Sequence, residues 1–527
     1  MSFKTTSQSV DTIDFEPIDL SEHPHVRGHD WRVVKYAAVA LLLLLVAMAG
    51  AMAYSLYGPN PPLAPSKELD GEPLPLRADG SPDLERYVLE RSGGPVAAEL
   101  NAAVPLLQAL WPMPWSAMQQ NNRWATIFAA MGMEMPASSE PLDPSVNSRL
   151  DGKAILELAR SDAWRTDDQQ RLAAELVRHS ERIDLLVGAS SRERFWLPSY
   201  SLLDAEPDPV DGLLLPHFKS LQVAGQWLRL AAARGIATDD AQGAWRYLIA
   251  SYGLALLSCQ EPYWRTHLIA AEGCDDNFAL VGRLLVRADL TAELLERMAS
   301  DLEGLGPMPR VWDSQIHEAR LTLLEMVRGG SEWSGLESSL RDEQGWGELA
   351  ILRQTRLDWN RIAGWAMAAL DEYARIGELP FKHQRETANY EFFKEHRLLK
   401  RADWPKLLAT AAAREELVGN WLLRKALNAN MQPTDSDDRT PTMIDLLRVG
   451  VALRRHAQLH GRYPPGLEAL TPDFLPMVPE DRWSGGAFVY RVEPDGSCVI
   501  SCGQYPDAAA SHASHSISLP KPEAAPQ

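Results

Sequence analysis

The chain has 527 residues, 23% of them charged and 45% hydrophobic, and a formal net charge of −19. That length is room for two or three domains of ordinary globular composition. The acidic balance argues against nucleic acid as a partner and against adsorption to anionic lipid, both of which need clustered Lys and Arg, and a mutually repelling soluble surface is the plain reading.

Residues 1–32 are polar and acidic without periodicity and read as a disordered cytoplasmic tail. Tyr36 to Leu56 is a run of apolar and small side chains, with no charge between Lys35 and Lys67. As a helix of about 21 residues it spans roughly 31 Å, the thickness of a bilayer's hydrocarbon core. Residues 33–57 are therefore assigned as a single transmembrane anchor, since a helix satisfies its own backbone in lipid. Arg27, Arg32 and Lys35 precede the run, while Lys67, Glu68, Asp70 and Glu72 follow it. The positive-inside rule keeps the N-terminus cytoplasmic and exports the rest. The expected location is a bacterial inner membrane, with the bulk of the chain periplasmic. Ala51-Met52-Ala53 resembles a cleavage site, so a removed signal peptide is the rival reading. A buried core helix is a third, opposed by the unbroken leucine run.

Residues 58–80 carry Pro59, Pro61, Pro62 and Pro65 and read as a stiff linker holding the body off the membrane. Residues 81–432 read as an all-α body of helical hairpins. Ser81-Pro82 is an N-cap followed by proline at the first helical position. Leu221, Ala224, Leu228 and Ala231 mark one amphipathic helix, stopped at Gly235, and Trp245, Leu248, Tyr252 and Ala255 the next after Thr238-Asp239-Asp240. This is an αα-hairpin. Ile316, Ala319, Leu323 and Met326, then Trp359, Ile362, Ala366, Leu370 and Tyr373, repeat the spacing, and a last helix is expected from about Trp404 to Asn430. The hairpins resemble α-solenoid repeats without a fixed period, and Trp245, Leu248 and Tyr252 echo a tetratricopeptide helix weakly. The 17 Trp are read as core packing.

Four cysteines are too few to staple such a body. Cys259 ends one helix and Cys274 falls near the far end of the next, roughly 15 Å away. Cys498 and Cys502 lie four apart on a strand, about 13 Å. All four are read as buried thiols.

Residues 433–441 (PTDSDDRTP) read as a polar linker, 442–507 as a small α+β module and 508–527 as a disordered Ala/Ser-rich tail. In the module an amphipathic helix carries Leu446, Leu447, Gly450, Leu453 and Ala457. The turn Glu493-Pro494-Asp495-Gly496 joins AFVYR to SCVIS as a β-hairpin. Alternation puts Phe488 and Tyr490 on one face and Val489 on the other, and Trp483 is expected to cap the core's edge.

Gly461, Tyr463, Pro464, Leu475, Pro476, Asp481, Trp483, Gly485 and Tyr490 fall in an order that resembles the periplasmic domain of type II secretion major pseudopilins. The resemblance covers about Met443 to Asp507. It implies one helix laid across a small antiparallel sheet, and secretion-machine components as partners. The departures are the missing prepilin-peptidase site before Tyr36 and an ending, Gly503 to Asp507, that only approximates the family's. The family's calcium site is not carried over. The whole chain also looks like large bacterial envelope proteins that join an exported helical body to such a module.

No G-x-S-x-G, H-E-x-x-H, phosphate-binding glycine loop or dinucleotide fingerprint occurs. His317-Glu318 lacks the second His four residues after the first. His383, Glu386 and His396 share one polar helix and read as a solvated face. Cys498, Cys502, His512 and His515 offer the ligand types of a zinc site at unusual spacing. No catalytic, cofactor-binding or metal residue is assigned, and no cofactor is expected. The expected class is mainly α, with one N-terminal transmembrane helix and a pseudopilin-like α+β end. The leading expectation is a non-enzymatic envelope scaffold with envelope proteins as partners. The alternatives are an accessory of a type II secretion or pilus-like machine, and an exported hydrolase whose site is assembled from distant residues.

Overall fold

The computed structural model describes residues 30–64, 68–69, 72–77, 82–91, 94–112, 123–136, 142, 152–159, 164, 166–198, 217–261, 263–287, 289–332, 355–379, 382–396, 410–427, 435–503 and 515–522. It is mainly helical, and the chain divides into two compact units. The first is residues 1–59 with 350–356. Its α1 (Asp30–Tyr57) contains the apolar run, and no residue from 32 to 57 is buried. This helix is long and apolar enough to cross a bilayer, a property that retained anchors and signal sequences share.

The second unit is residues 60–349 with 357–527. It begins where a spacer is expected, and that expectation is corrected. The Asn360 amide donates to the Pro62 carbonyl at 3.0 Å, and its side-chain oxygen accepts from the Ala64 N–H at 2.6 Å. Strands β1 (Glu68–Leu69) and β2 (Glu72–Pro73) then form a short hairpin before α2 (Leu84–Arg91). Leu69 and Leu74 are the reason the stretch does not stay free: they are buried with Leu84, Tyr87, Val88, Tyr263 and Leu321.

Helices α3 (Ala103–Leu110), α4 (Arg123–Ala130), α5 (Gly152–Leu158), α6 (Asp167–Arg178) and α7 (Ser180–Ser190) precede a central trio. The trio is α8 (His217–Ala237), α9 (Ala241–Ser258) and α10 (Trp264–Leu285), packed as successive antiparallel neighbours. The expected hairpin of α8 and α9 is present. Asp239 takes a left-handed turn, and the Asp240 side chain caps α9 by accepting from the Gly243 N–H at 2.8 Å. Helix α8 runs two residues past Gly235. A Cβ there would lie 3.0 Å from the Ala244 nitrogen and the Asp240 oxygen, so this glycine admits the turn rather than stopping the helix. Cys259 is the C-cap of α9, but Cys274 sits mid-way along α10 instead of near its far end.

Next come α11 (Ala292–Gly304), α12 (Val311–Glu332), α13 (Trp359–Ala374), α14 (Lys382–Glu395) and α15 (Ala411–Ala426). Thr291, Asp358 and Thr410 cap α11, α13 and α15 with their side-chain oxygens. Helix α15 starts later than the expected Trp404; residues 404–409 and 428–430 lie outside the described residues.

Helix α16 (Ser436–His460) overturns the expected linker at 433–441. Its first turns occupy that polar stretch because the body supplies partners for them. The Asp437 carboxylate accepts from the Val311 and Trp312 N–H groups at 2.6 and 3.1 Å, and Arg439 pairs with Asp275 of α10. From Thr442 to Arg454 every residue except Arg448 is buried. Gly461 ends the helix in the left-handed conformation, its N–H on the Ala457 carbonyl at 2.8 Å.

A 3-10 turn (Leu467–Leu470) leads to β3 (Val489–Val492), β4 (Cys498–Ser501) and β5 (Ser516–Leu519), an antiparallel sheet in that order. The hairpin turn is as expected, with Phe488 buried, Val489 exposed and Trp483 buried. Strand β5 corrects the reading of a disordered tail at 508–527 for residues 515–522; residues 508–514 and 523–527 lie outside the described residues. Its alternation Ser516-Ile517-Ser518-Leu519 buries the two apolar residues, and the Tyr463 hydroxyl donates to the Pro520 carbonyl at 2.8 Å. The module has no core of its own. Its buried residues join one cluster with α3 and α8–α11.

Candidate functional site

A cavity of about 180 Å³ opens between α8, α9 and α10. Each helix presents polar groups at helical spacing: Gln222, Gln226 and Arg229 from α8, Ser251 and Ser258 from α9, Glu272 and Asp276 from α10. Leu221, Leu254 and Ile269 form an apolar wall beside them. The two glycines in the lining, Gly225 and Gly273, face the same guanidinium. A Cβ at Gly225 would lie 3.0 Å from Arg229 Nη1, and one at Gly273 would lie 3.7 Å from it.

Arg229 is 6% exposed. Its Nη2 lies 3.3 Å from Asp276 Oδ2, and its buried Nε has no acceptor among the described residues. Burial lowers the guanidinium's affinity for its proton, and the Asp276 charge opposes this. Glu272 stands at the open rim, one helical turn before Asp276. Partial desolvation, then the Asp276 charge, raise its pKa, while Arg439 lowers it. The arrangement is one cation and two carboxylates over a partly apolar floor. It can hold a small polar molecule, and it offers both a cationic donor and anionic acceptors.

The residues singled out in the sequence do not gather here. His396 is buried, stacked on Phe392 with ring centroids 4.1 Å apart, and its Nδ1 lies 3.0 Å from the Phe392 carbonyl. It is a core histidine and not part of a solvated face. Glu386 is exposed, and the His383 side chain lies outside the described residues. His317 is buried against the Tyr87 ring, and Glu318 accepts from the Trp264 N–H at 3.4 Å. Among the described residues no three His, Cys, Asp or Glu gather at metal-binding range; His512 lies outside them. His515 rests between Phe278 and Trp483, and burial pushes its pKa down to about 4.

All four cysteines are free and buried, as the sequence suggests. Burial raises every thiol, Cys259, Cys498 and Cys502 to about 12, so none carries thiolate at neutral pH.

Sequence reasoning missed Arg229. The signal is the spacing Gln222, Gln226, Arg229, which lays a polar stripe beside the apolar one on a helix packed by α9 and α10. Comparisons with protein-family models, curated proteins and solved structures find no match for the chain.

Proposed function

We propose that the protein is a single-pass envelope protein of the bacterial inner membrane, with a cytoplasmic N-terminus and a non-enzymatic helical scaffold outside the cytoplasm. One observation carries the reading: α1 is apolar on all sides and buries no residue. Each exposed apolar side chain in water costs about 1.5–3 kcal/mol relative to burial, a cost that a lipid environment would remove, and this supports the reading. The basic residues before the run and the acidic ones after it support the orientation. The test is protease added to cells with a permeabilised outer membrane. Residues beyond Ser66 are cut under this reading; cutting only after lysis of the inner membrane would reverse the topology. N-terminal sequencing that begins at Tyr54 would replace the anchor by a cleaved signal.

The second reading is an accessory of a type II secretion or pilus-like machine. The resemblance at the C-terminal end supports it, together with β3. That strand is an edge of its sheet and exposes Val489, Arg491 and Val492, the features of an edge used for strand addition. Since α16 is built into the body's core, such a partner would meet the sheet edge and not a detached tip. Crosslinking from Val489 in membranes tests this: adducts with pseudopilin-class proteins favour it, and their absence returns the scaffold reading.

A further inference from the structure

We propose that the cavity between α8, α9 and α10 binds a small zwitterion of amino-acid size, its carboxylate on Arg229 and its ammonium on Glu272 and Asp276. This inference does not depend on the membrane topology.

Three observations carry it. First, Arg229 is nine-tenths buried yet incompletely paired. Its contact among the described residues is one carboxylate oxygen at 3.3 Å, and its buried Nε has no acceptor there. A buried cation left short of acceptors is costly. An anionic group in the cavity would supply them in the bidentate form that guanidinium favours. Second, Gly225 and Gly273 keep the space beside Nη1 open from two helices. Third, Glu272 and Asp276 are one turn apart on α10, so they face the same side. Two carboxylates against one guanidinium leave the site one negative charge in excess. A ligand that is purely anionic would meet that charge unfavourably, and one that is purely cationic would leave Arg229 unsatisfied. A zwitterion meets both groups.

The volume sets the size. A cavity of about 150 Å³ accommodates benzene, so about 180 Å³ encloses roughly seven non-hydrogen atoms, and the ammonium end of a small amino acid would reach out to the exposed Glu272 at the rim. Leu221, Leu254 and Ile269 suit a branched aliphatic side chain.

The test is calorimetric titration of the full chain in detergent with L-leucine, with 3-methylbutylamine (leucine without its carboxylate) and with 4-methylpentanoate (leucine without its ammonium). Leucine is expected to bind, and each fragment to bind at least about tenfold more weakly, because each leaves one charged group of the site unmet. No heat from leucine at about 10 mM, or a fragment that binds as tightly as leucine, would overturn the proposal. Two variants locate the site. Gly273→Ala adds a methyl group 3.7 Å from Nη1, an ordinary contact that spares the fold and narrows the cavity. Glu272→Gln removes a rim charge that the fold does not need. Both are expected to keep the parent's melting temperature without ligand and to weaken leucine binding about tenfold; parent-like affinity in both would place the binding elsewhere and refute the assignment.

Discussion

Helices α1 and α16 are of similar length, 28 and 25 residues, and opposite in every other respect. From Tyr36 to Leu56 helix α1 has no charge, and from Arg32 to Tyr57 it buries no residue. Helix α16 carries Asp437, Arg439, Asp445, Arg448 and Arg454, and is the most enclosed helix of the C-terminal region. Hydropathy alone would have reversed the two environments. The difference lies in what each polar group meets. Arg448 donates to the Leu302 carbonyl at 2.8 Å and pairs with Asp445 at 2.7 Å, and Arg454 donates to the Arg287 carbonyl at 2.7 Å. A charged helix can be core when the surrounding helix ends supply its partners. The apolar run of α1 buries none of its side chains among the described residues.

The strongest way to break the comparison is to give α1 the charge it lacks. Leu43→Arg with Leu44→Arg places two guanidinium groups mid-run, at about 2.5–3.5 kcal/mol each for insertion. The parent is expected to stay in the pellet after alkaline carbonate extraction and the double variant to leave it. A double variant that still resists extraction would show that α1 is not the element that holds the chain to the membrane.

The converse is to take a charge from α16. Arg439 binds Asp275 and lies 3.2 Å from Asp435, while the Thr440 hydroxyl donates to Asp275 at 3.1 Å. Arg439→Ala leaves a largely buried carboxylate without its cation, a loss of about 3 kcal/mol. Adding Asp275→Asn should restore much of it. Denaturant unfolding of the two variants checks this, and a double variant less stable than Arg439→Ala would mean that the pair is not the coupling unit.

The same carboxylate makes stability depend on pH. Burial raises the Asp275 pKa to about 6, against the lowering effect of Arg439. A carboxyl whose folded pKa is raised binds its proton more tightly in the folded state. Its contribution is therefore fully present below the ordinary carboxylate pKa and is lost as pH rises through about 6, by roughly 3 kcal/mol in the limit. His515 works in the opposite sense. Its folded pKa is depressed to about 4, so its contribution is present above the ordinary imidazole pKa and is lost as pH falls toward 4. Comparing the parent with Asp275→Asn isolates the carboxyl: the parent should gain on the variant between pH 7.5 and 4.5. A melting-temperature difference that does not change with pH would remove Asp275 from the account.

Much of this architecture was legible in the sequence. The 3-4 spacing in α8, α9, α12 and α13, the restart at Thr238 to Asp240 before α9, and the alternation in AFVYR each report a local rule, and the chain obeys them. The errors came where tertiary partners overrode a polar stretch. Ser436 to Pro441 reads as linker until Val311, Trp312 and Asp275 are in place beside it. Leu69 and Leu74 look incidental in a proline-rich segment until Leu321 and Tyr263 cover them. Ile517 and Leu519 are two apolar residues in a tail of Ala and Ser, and their alternation is too short to stand alone. The cavity was hidden for the same reason. Gly225, Arg229 and Gly273 have no sequence pattern that links them; only the packing of α8 on α10 does.

The smallest expected effects come from one glycine in each of the two helices. In α16 a Cβ at Gly450 would lie 3.2 Å from both Ile517 Cδ1 of β5 and Leu285 Cδ1 of α10. Glycine here sets how closely the helix approaches the sheet and the body together. Alanine recovers about 1 kcal/mol of helix propensity and loses a comparable amount in displaced methyl groups, so Gly450→Ala should be nearly neutral. Gly450→Val adds two further carbons to the same gap and should cost about 1–3 kcal/mol. In α1 a Cβ at Gly50 meets nothing within 4 Å, so Gly50→Leu should leave the melting temperature and the detergent-solubilised mass unchanged. The pair separates a packed glycine from an open one with a single kind of substitution. If Gly50→Leu instead lowers the solubilised mass, α1 packs against a second copy through its small residues, as glycine-bearing membrane helices do, and the contrast with α16 becomes one of partner rather than of solvent.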